Sequence, residues 1–146
     1  MAFAMDQETT IITRGVLRLL RHRGVMATVE VDLPGGRRAD VFGIDAAGLV
    51  SIVEIKTSPA DLRRDGKWPE YAPHCDLFYF AVPEGFPMEL LPDDTGIIVA
   101  DRFGGEILSE APRRTLAPAT RKSLTVRFGR LCALRLARAH DPDLDA

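Results

Sequence analysis

The chain of 146 residues is 46% hydrophobic and holds two cysteines, which is enough apolar mass for one domain with its own core and no need of disulfides or a structural metal. No apolar run reaches membrane-spanning length, and residues 1–6 lack a basic stretch leading into a long apolar one, so the expectation is a soluble, cytoplasmic protein. The formal net charge of −2 averages two unlike parts: residues 1–111 carry −7, residues 112–140 carry +8 without a single acid, and the tail acids Asp141, Asp143 and Asp145 carry −3. Such a bipolar chain suits either a polyanionic partner or pairing between its own two parts.

Asp6 can cap a first helix, with Glu8 in its first turn and Gly24 just past its end. Ile12, Val16, Leu19 and Leu20 fall at helical spacing, which makes the helix amphipathic. Residues 25–33 alternate as a first strand, Pro34-Gly35-Gly36 turns the chain back, 38–45 reads as a second strand and 49–56 as a third. Short links make the three a meander, expected antiparallel. Ser58-Pro59-Ala60-Asp61 is a helix start, with serine at the N-cap, proline at the first helical position and an acid two places on. The polar, irregular stretch to Tyr71 leads into a fourth strand over 75–82, dense in aromatics. Residues 96–101 and 106–111 form a hairpin. A basic linker then precedes a last helix over about 119–139, with Leu124, Phe128, Leu131, Cys132 and Leu136 on one side, read as core or a homodimer seam. This order predicts a single α/β domain with a mixed central sheet: a core over about 7–112, the linker and C-terminal helix over 113–140, and an acidic tail over 141–146. Cys75 and Cys132 each sit in an apolar run and read as reduced, buried thiols; with only His74 nearby they do not spell a zinc site.

The chemistry gathers in residues 37–56. In the third strand the run Leu-Val-Ser-Ile-Val-Glu-Ile-Lys is apolar until its end, as in a strand covered on both faces. Glu54 and Lys56 project from one face, roughly 6–7 Å apart. A carboxylate at the end of a buried strand requires a partner or a metal, and Asp40 on the neighbouring strand is the nearest candidate. Hard cations take oxygen ligands, commonly one or two carboxylates. Asp40, Glu54 and the backbone carbonyl of Ile55 can therefore hold Mg²⁺ or Mn²⁺, with Lys56 at the attacking water, a set suited to phosphodiester hydrolysis. An acid-x-Lys on a strand also reads simply as an ion pair of Glu54 with Lys56 or Arg38. The catalytic reading requires the Asp40 and Glu54 carboxyls to meet.

Asp on the second strand, Glu54-x-Lys56 on the third, a helix before the meander and a helix then a strand after it together resemble the PD-(D/E)xK nuclease superfamily, over about residues 7–82. Ala39 stands where the eponymous proline often does. The resemblance implies the restriction-endonuclease-like fold, with its αβββαβ core. Gly36-Arg37-Arg38-Ala39-Asp40, Val53-Glu54-Ile55-Lys56, the run from Asp65 to Tyr71, His74-Cys75-Asp76 and Ile98-Val99-Ala100-Asp101 look like the bacterial MmcB-type DNA-repair proteins over most of the chain. This second likeness implies a role in tolerating DNA damage.

Glu30 and Glu8 are accessory acids on this reading. Arg38, Arg63, Arg64, Lys67, Trp68 and Tyr71 surround the active strand, and basic side chains interleaved with aromatics suit single-stranded, branched or damaged DNA. Trp68 and Tyr71 can equally pack the short helix onto the sheet. The leading expectation is a metal-dependent deoxyribonuclease in DNA repair. Its rivals are a catalytically inactive DNA-binding or scaffolding protein of the same fold, and a protein-interaction module built on the last helix.

Overall fold

A computed structural model describes residues 6–64 and 68–146. Helix α1 (Gln7–His22) begins at Asp6, whose carboxylate accepts the Thr9 N–H at 2.8 Å, and ends where Gly24 takes φ +77°. That left-handed residue lets the Val25 N–H reach back to the Leu20 carbonyl and the Gly24 N–H to that of Arg21, closing the helix end. Strands β1 (Met26–Asp32), β2 (Arg38–Ile44) and β3 (Val50–Ile55) form the expected antiparallel meander. Helix α2 (Pro59–Arg64) and two short 3-10 turns, Trp68–Glu70 and Ala72–His74, cross over to β4 (Leu77–Val82), parallel to β3. A third 3-10 turn, Met88–Leu90, precedes β5 (Gly96–Ala100), parallel to β4. The hairpin strand β6 (Gly105–Ser109) and helix α3 (Pro118–His140) complete the chain. One six-stranded mixed sheet results, in the order β1-β2-β3-β4-β5-β6, and residues 7–82 follow the αβββαβ order.

The sheet is covered on both faces. Ile12, Val16 and Leu20 of α1 pack on Val41, Val53, Ile98 and Ala100, while Leu124 and Phe128 of α3 pack on Phe42, Ile52 and Phe80 of the opposite face. All six residues of β3 are buried, as its near-continuous apolar run requires. Helix α1 lies so close to the hairpin that a Cβ on Gly15 would stand 1.9 Å from the Asp101 carbonyl oxygen. No side chain fits there.

Two arginines fasten α3. Asp76 is wholly buried and receives both Arg121 nitrogens at 2.7 Å, the Val50 N–H at 2.7 Å and the Leu116 N–H at 3.3 Å. Burial alone would raise its pKa; the Arg121 guanidinium and the two backbone N–H groups bring it below the ordinary value. Near the other end, Arg135 donates to the carbonyls of Val29 at 2.5 Å and Glu30 at 2.7 Å. Both cysteines are free, and burial pushes the Cys75 thiol up to about 12. Among the described residues no helix is long and apolar enough to cross a membrane.

Candidate functional site

Asp40 and Glu54 occupy adjacent antiparallel strands. The register Phe42 to Ile52 and Val41 to Val53, carried one step further, sets them directly opposite, where side chains of an antiparallel pair are nearest neighbours. Their carboxyl groups lie close enough for Asp40 to raise the pKa of Glu54. Asp40 Oδ2 also accepts the Ile55 N–H at 2.8 Å. Because the N–H and C=O of one strand residue lie on the same side, the Ile55 carbonyl faces this pair as well.

Glu54 is 2% exposed and its Oε1 is buried without a hydrogen-bond partner. Burial first, then the neighbouring Asp40, raise its pKa well above the usual carboxylate value, while the Tyr71 hydroxyl and Lys56 act in the opposite direction. Two carboxyls held together with an orphan oxygen require a shared proton or a cation between them. This donor set, two carboxyls and one carbonyl, fits a hard divalent cation.

Lys56 is buried too, at 5% exposure, and its Nζ lies 3.9 Å from Asp61 Oδ1. Asp61 belongs to the first turn of α2: its N–H donates to Ser58 Oγ at 3.1 Å and its Oδ2 accepts the Thr57 N–H at 3.1 Å. The turn that starts the helix thereby places a carboxylate against the lysine. Asp40, Glu54, Ile55, Lys56, Thr57 and Asp61 line one polar pocket of about 280 Å³, together with Asp6 and Thr9 from the start of α1, Arg64 and Tyr71.

The sequence reading gave Asp6 and Asp61 only as helix caps. The signal for more was positional, since both helices start beside the end of the strand that carries Glu54 and Lys56. Glu30 and Glu8 do not join the pocket. Glu8 is exposed in the first turn of α1. Glu30 stands opposite Asp40 in register, but its backbone takes φ +51° and its carbonyl is held by Arg135. Among the described residues, no three His, Cys, Asp or Glu side chains gather closely enough to hold a metal ion.

Of the expected DNA-contacting residues, Arg63 and Arg64 are exposed on α2. Arg38 pairs with Asp32 at 3.1 Å. Lys67 lies outside the described residues. Trp68 stacks on Phe78 with ring centroids 5.6 Å apart and takes the Arg114 guanidinium 5.4 Å over its ring. Tyr71 is 4% exposed and stacks on Phe78 at 5.7 Å. The packing alternative therefore describes both rings as they stand; Tyr71 also lines the pocket, and its hydroxyl donates to the Arg38 carbonyl at 3.3 Å.

The chain matches the model of the family described as "DNA repair protein MmcB-like" over residues 3–143. Its fold is that of a solved structure titled "SPO1766 protein of unknown function from Silicibacter pomeroyi", at a TM-score of 0.92 and 38% sequence identity, covering 97% of this chain and 98% of that one. No curated protein matches it.

Proposed function

The chain belongs to the MmcB-like family of DNA-repair proteins, and from that premise we propose that it is a divalent-metal-dependent nuclease hydrolysing phosphodiester bonds in DNA, built as a PD-(D/E)xK enzyme. The observation that carries this reading is the Asp40–Glu54 carboxyl pair with its orphan oxygen, set beside Lys56 in one polar pocket. Asp40, Glu54 and the Ile55 carbonyl are the groups that would hold Mg²⁺ or Mn²⁺, which when bound supplies a Lewis acid for attack on phosphorus. The Ile55 N–H fixes the Asp40 carboxylate, and the Tyr71 hydroxyl, which donates to the Arg38 carbonyl at 3.3 Å, acts on Glu54 to favour its charged form. Lys56, steadied by Asp61, orients the attacking water and offsets the negative charge that grows on the phosphate. Arg63 and Arg64 take flanking phosphates of a single-stranded, branched or damaged substrate.

Purified protein given a panel of DNA forks, flaps and single strands with Mg²⁺ or Mn²⁺ should cut at least one. Asp40→Ala should abolish that cleavage, and Lys56→Ala should slow it on the order of 10²–10³-fold, with thermal unfolding still cooperative in both. Wild-type protein that cuts none of these substrates with either metal would remove the enzymatic claim and leave the DNA-repair family membership standing.

A further inference from the structure

The two edges of the sheet are finished differently. At β1, Arg135 occupies the Val29 and Glu30 carbonyls and bonds Thr28 Oγ1 at 3.1 Å, and the backbone turns at Glu30 to φ +51°. A strand kinked and blocked in this way is a poor template for another chain. The opposite edge is β6, the last strand of the sheet among the described residues. The β5–β6 register shifts between Ile97 and Ile98, which leaves Leu108 without an opposite number, and that side chain is 54% exposed.

Beside this edge a cavity of about 600 Å³ opens. Its large apolar lining includes Met88, Leu108 and Phe103, the last 75% exposed. Its charged lining is Glu84, Asp101 and Glu106, all acidic. Three carboxylates around an apolar floor repel a phosphate backbone. A second copy of this chain would bring the same acids against them, and like charges across paired strands destabilise.

We propose that β6 and this cavity form a docking surface for a basic, extended segment of a partner protein, added to the sheet as a seventh strand. Backbone hydrogen bonds to β6 supply the attachment, and the side chains on the strand face turned to the cavity are in turn large apolar ones, which enter it beside Leu108 and Met88, and lysines or arginines, which meet Glu84 and Glu106. The surface lies three strands from Glu54 in the sheet order, and its assignment is independent of the nuclease reading.

The test is a titration of the ¹⁵N-labelled full chain with a soluble peptide that carries lysine and leucine in turn at every second position, with threonine between, and with its counterpart carrying glutamate for lysine. The lysine peptide should bind saturably, with shifts and slowed amide exchange concentrated over residues 104–109. Glu106→Lys and Leu108→Asp, both at exposed positions, should each weaken it at least tenfold, and the glutamate peptide should not bind. The proposal is overturned if the lysine peptide fails to saturate, if both peptides bind alike, or if neither variant matters. It is equally overturned if sedimentation shows a dimer that Leu108→Asp dissolves, or if duplex DNA perturbs the same amides.

Discussion

A carboxyl group buried as deeply as that of Glu54 holds its proton more tightly in the folded chain than in the unfolded one. Its contribution to stability is therefore full below the ordinary value of 4.5 and is lost as pH rises through the raised folded value. Glu54→Gln keeps the shape and the hydrogen-bonding capacity but removes the titration. Without divalent metal, the variant should be more stable than wild type at neutral pH and above, and urea midpoints followed across pH should show a flatter dependence. Added Mn²⁺ should raise the wild-type midpoint and leave the variant's in place. Parallel pH curves for the two proteins would mean that the pair does not hold the proton this way. Asp40, Glu54 and Lys56 were legible because strand alternation and register place them without any tertiary knowledge. Asp61 was half legible: its capping role is local, whereas its approach to Lys56 depends on how α2 leaves the sheet.

At the level of elements, each helix and strand expected from periodicity and turn chemistry is present, with ends displaced by a residue or two. Residues 68–74 form two 3-10 turns, which carry Trp68 and Tyr71 onto Phe78. The apolar side of α3 was readable, but only Leu124 and Phe128 are buried. What the pattern could not reveal is the Asp76 and Arg121 pair, since nothing local links residues 45 positions apart. Arg121→Ala would leave a buried carboxylate with backbone donors alone. It should cost about 3 kcal/mol, seen as a fall in Tm of roughly 10 °C. Because the folded pKa of Asp76 is depressed, the contribution of this pair is present above the ordinary value of 3.8 and is lost as pH falls through the folded value. The penalty for Arg121→Ala should accordingly shrink in acid; a penalty constant with pH would assign the loss to packing of the arginine stem.

Over the whole molecule, the charge imbalance read from composition resolves into internal pairing at several of the C-terminal arginines: Arg121 to Asp76, Arg138 to Asp145, and Arg135 to backbone carbonyls. The basic count of α3 thus overstates the charge it offers a polyanion. It also describes how the helix is attached. Arg121 and Arg135 are 14 residues apart, about 21 Å along the axis, with a modest apolar contact between them. A long rod bolted near both ends and lightly glued in the middle detaches as a piece. Native-state hydrogen exchange should find the amides of α3 opening together, at a free energy below that of β3 and β4. Arg135→Ala should split that unit, releasing the C-terminal half first; a helix whose amides exchange only with global unfolding would show that the rod is seamlessly part of the sheet.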